Sequence, residues 1–467
     1  MFAIGICEDV KSAFGNDVPD LSAYYALTEK CRRIYAGEPD WRSVKKGGLY
    51  HAGSRTIAML NTAKVLCDRF AVLLFSEEPE IIFSNEECGS FVRSVIEKSN
   101  LFGRMGELLS CAYAMGGAVF RPYINNGEIS IDCVYGDGFI PLGWTHSQIS
   151  SGCFRSVIFK DGCYYTLFEL HSVEDGVSTV EYRLFKSRTS SSAGTECPLS
   201  EVYPMLNEKV EFYGAGQNTL FSCFKPSGSN NVYPDVPMGI SVFANAADTL
   251  KALDVAFDSF TREFVLGRKR IIVPSSCVQT VVDIATGEQR QYFDADDEAY
   301  VALKCDEEQD LKITDNTVEL RVEEHITAIN ALLDILCFQT GLSAGTFSFN
   351  SAEGVKTATE IISRDSRTAA LIRADQNNLS RALVSLFKAV ISLGVYTGKL
   401  SEEALDCDVT VSWHDGIITD ENTALDNCIK LVNSGLKSKV TAIMELRKCS
   451  YEAAMEEYER ILKEEKS

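Results

Sequence analysis

The sequence predicts an α+β protein built from several units, and three observations carry that prediction. Apolar residues make up 45% of the chain and charged residues 24%, a globular balance with ample material for a core. The apolar spacing changes twice, from a helical period to a period of two near Gly117, and back to a helical period near Gly239. The 467 residues also exceed one ordinary core. At roughly 150 residues per domain they suggest about three compact units.

In chain order, residues 21–37 place Tyr24, Leu27, Cys31 and Tyr35 at helical spacing, with Gly37 as the stop. A second helix is expected over 54–75, opened by Ser54 and carrying Ile57, Leu60, Val65, Phe70 and Leu74. Two more are expected across 86–115, ending at Gly116-Gly117. Six short segments follow: AVFRPYI, ISIDCVY, FIPLGW, CFRSVIF, CYYTLFELH and VEYRLFK. They are rich in aromatic and β-branched residues and separated by Asn-Gly, Gly-Asp-Gly and Asp-Gly, so they predict one antiparallel sheet of hairpins. Residues 187–239 read as loop-rich.

Residues 241–266 then form one helical pattern through Phe243, Ala246, Leu250, Leu253, Phe257, Phe260 and Phe264, stopped by Gly267. A β-like insert runs to about 318 and is studded with acids, among them Asp294, Asp296, Asp297, Glu298 and Asp310. A second helix is expected at 319–340, with Ile326, Ile329, Leu333 and Leu336 on one stripe. Residues 341–356 make a Gly/Ser-rich loop with two phenylalanines, and the longest helix follows over about 357–393. Thr357 and Glu360 open that helix in a capping-box arrangement. The strand VTVSW (409–413) and helices at 420–434, at 437–447 and after Ser450 complete the chain.

Acidic residues outnumber basic ones by 66 to 45, a formal net charge of −21. That balance argues against a protein that grips nucleic acid over its whole surface, because such binding neutralises phosphates. It leaves room for one past which DNA slides. No apolar run approaches the ~18 residues of a membrane helix. The start, MFAIGICEDV, has neither the basic region nor the cleavage site of a signal peptide. The expected location is cytoplasmic, or wherever a cytoplasmically made assembly travels. No two of the 16 cysteines lie closer than Cys153 and Cys163, so no C-x-x-C pair exists and they read as reduced core residues. The five histidines (His51, His146, His171, His325, His414) are equally scattered. No metal and no cofactor is expected.

Three motifs suggest chemistry and fail on context. Gly341-Leu-Ser343-Ala-Gly345 matches the nucleophile elbow of serine hydrolases, but an elbow needs a preceding strand, and a helix is expected here. Gly394 to Leu400 resembles a phosphate loop with one spacer too few and Leu400 in place of the magnesium-binding hydroxyl. Gly214-Ala-Gly216 lacks the third glycine of a dinucleotide fingerprint. The acid cluster at 294–310 reads as a solvated surface rather than a cation site. A hydrolytic or DNA-processing enzyme of mixed α/β fold, using Ser343 or an acidic metal site, is the alternative these motifs leave.

The order of parts says more than any motif. A long helix, a small β insert, a returning helix, a flexible loop, a very long helix and a helical C-terminal end succeed one another. Two stretches are specific: LRVEEHITAINALLDILCFQTGLSAGTF followed by Gly354-Val355-Lys356-Thr357-Ala358-Thr359-Glu360, and EIISRDSRTAALIRADQNNLSRAL within the long helix. The Tyr/Trp-rich opening from Tyr35 to Trp41, Gly116-Gly117, the strand end with Phe168, Glu169 and His171, and Ser434-Gly435-Leu436-Lys437-Ser438 add to them. On these residues nearly the whole chain resembles the portal proteins of tailed bacteriophages, closest to the branch of long-tailed phages of Gram-positive hosts.

The resemblance implies a portal-type architecture. Residues 1–239 would be the α/β part of the wing, 240–266 and 319–341 the two stem helices, and 267–318 a clip where the packaging motor docks. Residues 342–356 would be the tunnel loop, 357–418 the long wing helix and its strand, and 419–467 the crown. It implies a non-enzymatic ring, usually of twelve copies, at one capsid vertex, through which double-stranded DNA enters and leaves. The implied partners are the terminase large subunit, the major capsid and scaffolding proteins and a head-tail adaptor, with no membrane. The implied location is the virion, and the host cytoplasm during assembly. The channel residues would be Thr346, Phe347, Ser348, Phe349, Asn350 and Lys356, and the docking residues Arg268, Lys269, Arg270, Asp296, Asp297 and Glu298. Lys356 and the three clip cations either form positive belts in the ring or are ordinary surface cations. Phe347 and Phe349 either pack against neighbouring loops or dock on their own helix. An acidic conduit agrees with this job, since it repels the polyanion that must move through it.

Overall fold

The computed structural model describes residues 6–15, 19–46, 53–125, 127–145, 148–174, 176–190, 192–212, 219–267, 271–272, 279–282, 289–292, 314–315, 319–348, 358–413, 421–447 and 451–464. The chain divides into two compact units. One comprises Met1–Asp40, Asn61–Leu250 and Asp334–Ser467, and the other Trp41–Leu60 and Lys251–Leu333.

The larger unit begins with helices α1 (Ile6–Phe14) and α2 (Ser22–Tyr35). Strands β1 (Ser43–Lys46) and β2 (Gly53–Thr56) belong to the smaller unit, and α3 (Thr62–Leu74) returns to the larger. The helix expected from Ser54 therefore starts eight residues later. Asn61 adopts a left-handed conformation (φ 51°) that no helix continues through, and the residues before Ile57 are a strand. Strand β3 (Glu80–Phe83) precedes α4 (Glu86–Lys98), capped by the Asn85 side chain on the Glu87 N–H at 2.8 Å, and then comes α5 (Met105–Met115). Gly116 ends α5 at φ +87°, and a Cβ there would lie 2.5 Å from the Gly239 carbonyl oxygen, so only glycine fits the crossing.

The six expected strands are β4 (Ala118–Asn125), β5 (Glu128–Tyr135), β6 (Phe139–Thr145), β7 (Gln148–Lys160), β8 (Cys163–Glu174) and β9 (Val177–Ser187). They form two sheets, not one. A 3₁₀ turn at Gly136–Gly138 breaks the meander after β5. The loop-rich region supplies β10 (Thr195–Cys197) and β11 (Lys209–Phe212), which pair with β9, and β12 (Ser222–Phe224), which pairs with β4. The result is a three-stranded sheet β12-β4-β5 and a six-stranded one ordered β10-β9-β8-β7-β6, with β11 beside β9. Tyr24, Tyr25, Phe139, Phe154, Phe168 and Phe221 fill the core around them.

Helix α6 (Ala247–Leu266) follows a short turn, so the helical pattern read from 241 begins six residues late. Short strands β13 (Ile271–Ile272), β14 (Gln279–Val282), β15 (Gln289–Tyr292) and β16 (Thr314–Asp315) pair antiparallel as β13–β16 and β14–β15. Helix α7 (Val322–Thr340) precedes α8 (Ala358–Tyr396), whose 39 residues span about 58 Å. Leu379, Leu383, Leu386, Phe387 and Val390 are fully buried and make α8 the spine of the larger unit. The expectation that no stretch is apolar enough for a membrane helix is corrected here: by length and composition Arg367–Tyr396 passes that test, because the charges within it are few and spaced. Its burial accounts for that composition. Strand β17 (Val409–Ser412) pairs with β3, and α9 (Glu421–Asn433), α10 (Lys439–Arg447) and α11 (Tyr451–Glu464) end the chain.

In the smaller unit, two carboxylates one turn apart on α6 hold the β1–β2 hairpin. Asp258 accepts Arg55 Nη1 and Nη2 at 2.7 Å each and the Ala58 N–H at 2.9 Å. Asp254 accepts the Trp41 indole N–H at 2.9 Å and the Leu60 N–H at 3.0 Å. Further along, Glu263 of α6 accepts Arg321 through Nε and Nη2 at 3.0 Å each, and these bonds pull its carboxyl down to about 2. Asp258→Ala leaves both the guanidinium and the Ala58 N–H unpaired and should cost about 1–3 kcal/mol. Faster hydrogen exchange at Gly53–Thr56 would register that loss, and unchanged exchange would contradict it.

Candidate functional site

The junction between α7 and α8 carries the first of the sequence-selected loop residues. Helix α7 ends because Gly341 turns left-handed at φ +81°. The Leu342 N–H then reaches back to the Cys337 carbonyl at 2.9 Å, and Leu342 is completely buried, the hydrophobic stop that follows a helix of this kind. Thr340 adds a hydroxyl bond to the Leu336 carbonyl at 2.8 Å.

The chain is next fastened to both helices. The Ser343 N–H donates to Thr368 Oγ1 at 3.0 Å, and the Thr368 hydroxyl donates to Ser343 Oγ at 3.0 Å. The Gly345 N–H donates to Asp334 Oδ1 of α7 at 2.8 Å. Thr346 closes a small turn, its hydroxyl on the Ser343 carbonyl at 2.6 Å. On the outer side Arg367 of α8 lies 5.7 Å from the ring centre of Phe338, which is 70% exposed. The root of the loop is thus fixed by side chains of α7 and α8 before the loop proper begins.

Ser343 is not a nucleophile in this geometry. A helix precedes it, it is buried, and its hydroxyl is held by Thr368. The histidines within the described residues are engaged elsewhere, His171 with Glu169 and His325 near Glu263, while His414 lies outside the described residues. Ser343→Ala should cost about 1 kcal/mol of stability through the lost hydroxyl bond, and a fluorophosphonate probe should leave Ser343 unlabelled. Covalent labelling of that serine would restore the hydrolase reading. The phosphate-loop likeness also dissolves: Gly394 lies inside α8, and Gly398, at φ +69°, is part of its stop. Gly214 and Gly216 and the acid cluster at 294–310 lie outside the described residues. Among the described residues no group of three or more His, Cys, Asp or Glu side chains is placed to hold a metal ion.

Of the channel residues selected from sequence, Thr346 and Phe347 are half-buried and Ser348 is exposed. Phe349, Asn350 and Lys356 lie outside the described residues, as do Arg268, Lys269, Arg270, Asp296, Asp297 and Glu298. Sequence reasoning missed Thr368, Asp334, Phe338 and Arg367. The available signal was their position: Asp334 and Phe338 lie one turn apart in the last turns of α7, and Arg367 and Thr368 follow the start of α8.

A second cluster is sealed inside the strands. Arg121 of β4 donates to Glu169 of β8 at 2.7 Å, and His171 Nε2 meets the other Glu169 oxygen at 2.5 Å. The three residues are at most 9% exposed, and the Arg121 guanidinium lies 5.0 Å from the Phe154 ring centre. Burial alone would raise the Glu169 carboxyl, yet the Arg121 charge and the His171 hydrogen bond hold it below its ordinary value. The cluster ties the two sheets together.

A family model described as "Phage portal protein, SPP1 Gp6-like" matches residues 23–467. No curated protein matches the chain.

Proposed function

The chain belongs to the SPP1 Gp6-like family of phage portal proteins, and from that membership we propose that it forms the ring through which double-stranded DNA is packaged and ejected. The family gives it a structural role as a virion capsid component, in place of the enzyme considered as the alternative. The observation that carries the finer reading is the extent of the match, which leaves out only the first 22 residues.

In this reading 1–239 and 357–418 form the wing, α6 and α7 the stem, and 267–318 the clip that receives the terminase large subunit and later the head-tail adaptor. Residues 342–356 form the tunnel loop, and 419–467 the crown. Twelve copies close the ring, and capsid and scaffolding proteins contact its outside. The double fastening of the loop root supports this assignment, because a loop that touches moving DNA needs a fixed base. The net charge of −21 supports it as well, since DNA then passes without being gripped.

The purified chain should form closed rings with a central hole. Exposed apolar residues on α6 and α7, including Val255, Phe264, Ile335 and Phe338, motivate this, since head-to-tail association of copies would cover them. Native mass spectrometry and electron microscopy would read it. Monomers or dimers alone, across a range of salt, would overturn it.

A further inference from the structure

We propose that the three C-terminal helices are themselves an interface between copies, with α11 of one chain docked against the groove of α9 and α10 on the next. The inference rests on the ring reading and deepens it by naming one surface and its occupant.

Helices α9, α10 and α11 enclose an open cavity of about 270 Å³. Its walls are apolar, chiefly Ile429 and Val432 of α9, Ala442, Ile443 and Leu446 of α10, and Ile461 of α11. Ile429 and Leu446 remain 47% and 46% exposed, so the groove is unfilled by its own chain. On α11 the inner stripe is Ala454, Tyr458 and Ile461, at helical spacing. Tyr451 and Met455 sit one turn apart to the side of that stripe, 61% and 39% exposed. A groove without a filling and an apolar ridge without a cover lie on the same small bundle.

Charge identifies the occupant. Residues 421–448, which span α9 and α10, carry Lys430, Lys437, Lys439, Arg447 and Lys448 against Glu421, Asp426 and Glu445. Residues 451–464 carry Glu452, Glu456, Glu457, Glu459 and Glu464 against Arg460 and Lys463. Lys439 stands at the groove rim, and Glu459 is exposed on α11. The helices that form the groove therefore carry a small basic excess in a chain that is acidic overall, and α11 carries an acidic one. Opposite charges at the rim select this pairing over ridge-to-ridge contact, and the apolar contact supplies the affinity. A ridge of one copy seated in the groove of the next is a heterologous contact, as a closed ring requires.

The test uses the full-length chain in two tagged forms, co-expressed. One carries Met455→benzoylphenylalanine, a photoreactive residue, and the other is unaltered. Irradiation should give a product bearing both tags, with the link mapped by peptide mass spectrometry to residues 428–446 of the unaltered chain. Lys439→Glu in the unaltered chain should reduce that yield several-fold, and Glu459→Lys in the photoreactive chain should restore it. Closed rings with no such cross-link, or with links only within one chain or to another protein, would overturn this inference and leave the ring reading standing. Unassociated chains would overturn both. A yield indifferent to both charge changes would also count against it.

Discussion

Arg121→Met should destabilise the larger unit by about 3–5 kcal/mol, the cost of leaving a buried carboxylate without its cationic partner. Arg121 is 9% exposed and Glu169 7% exposed, so water does not replace the lost guanidinium. The other contact of Arg121, to Asp132 at 3.4 Å, is long, and the Asp132 side chain is 44% exposed. It contributes little. Because β4 and β8 lie in different sheets, the loss should appear as faster hydrogen exchange in both strands as well as a lower denaturation midpoint. Arg121→Met combined with Glu169→Gln removes both charges and should recover most of the loss. A single variant within about 1 kcal/mol of the parent would show that the pair is not what holds the sheets together.

The pH dependence of that variant has a definite sign. In the parent protein the folded Glu169 carboxyl lies below its ordinary value of 4.5. Its stabilisation is therefore complete above that pH and is lost as pH falls through the lower folded value. Without Arg121, burial dominates and the carboxyl rises above its ordinary value. The variant then gains stability as pH falls through that raised value towards 4.5, and the parent loses its own below 4.5, so the deficit should narrow across both windows. Asp375 acts in the opposite sense in both proteins. Burial raises its carboxyl above 3.8 despite hydrogen bonds from Tyr113 and Ser227, so it disfavours the folded state as pH climbs through the raised value. Being common to both, it cancels in the comparison.

What was legible in the sequence was local. The long helix could be read from its capping-box opening at Thr357 and Glu360, and the strands because Gly162, Gly176 and their neighbours mark turns between segments rich in aromatic and β-branched residues. Ile57 and Leu60 misled for the same reason: they fit a helical stripe, while the left-handed Asn61 after them does not announce itself by spacing. Pairing across the chain was not legible. Nothing in Trp41 or Arg55 points to carboxylates on α6 about 200 residues away, and nothing in β3 names β17 as its partner. At the candidate site the helix stop at Gly341 was plain. Its lock was not, because Thr368 comes from the next helix, 25 residues on.

That lock separates the loop from its supports, and so makes its removal informative. Deleting residues 346–352 spares Ser343 and Gly345, so the bonds to Thr368 and Asp334 survive and α7 and α8 keep their register. Rings should therefore form as in the parent. The contacts proposed for the loop would be gone: backbone and hydroxyl groups facing the duplex, and the approach of Lys356 along a shortened chain. Such contacts are made to phosphates, so they follow any sequence and weaken with salt. Their loss should leave most particles without a full, retained genome, whereas Lys356→Glu, which alters one charge per copy, should give a milder defect of the same kind. Thr368→Val provides the opposite case. It keeps every loop residue but removes both bonds to Ser343, so the base loosens and stability falls by about 1–2 kcal/mol. If the loop deletion packaged full-length genomes at the parental rate and held them, the loop would not be the element that touches DNA, whatever the state of its root.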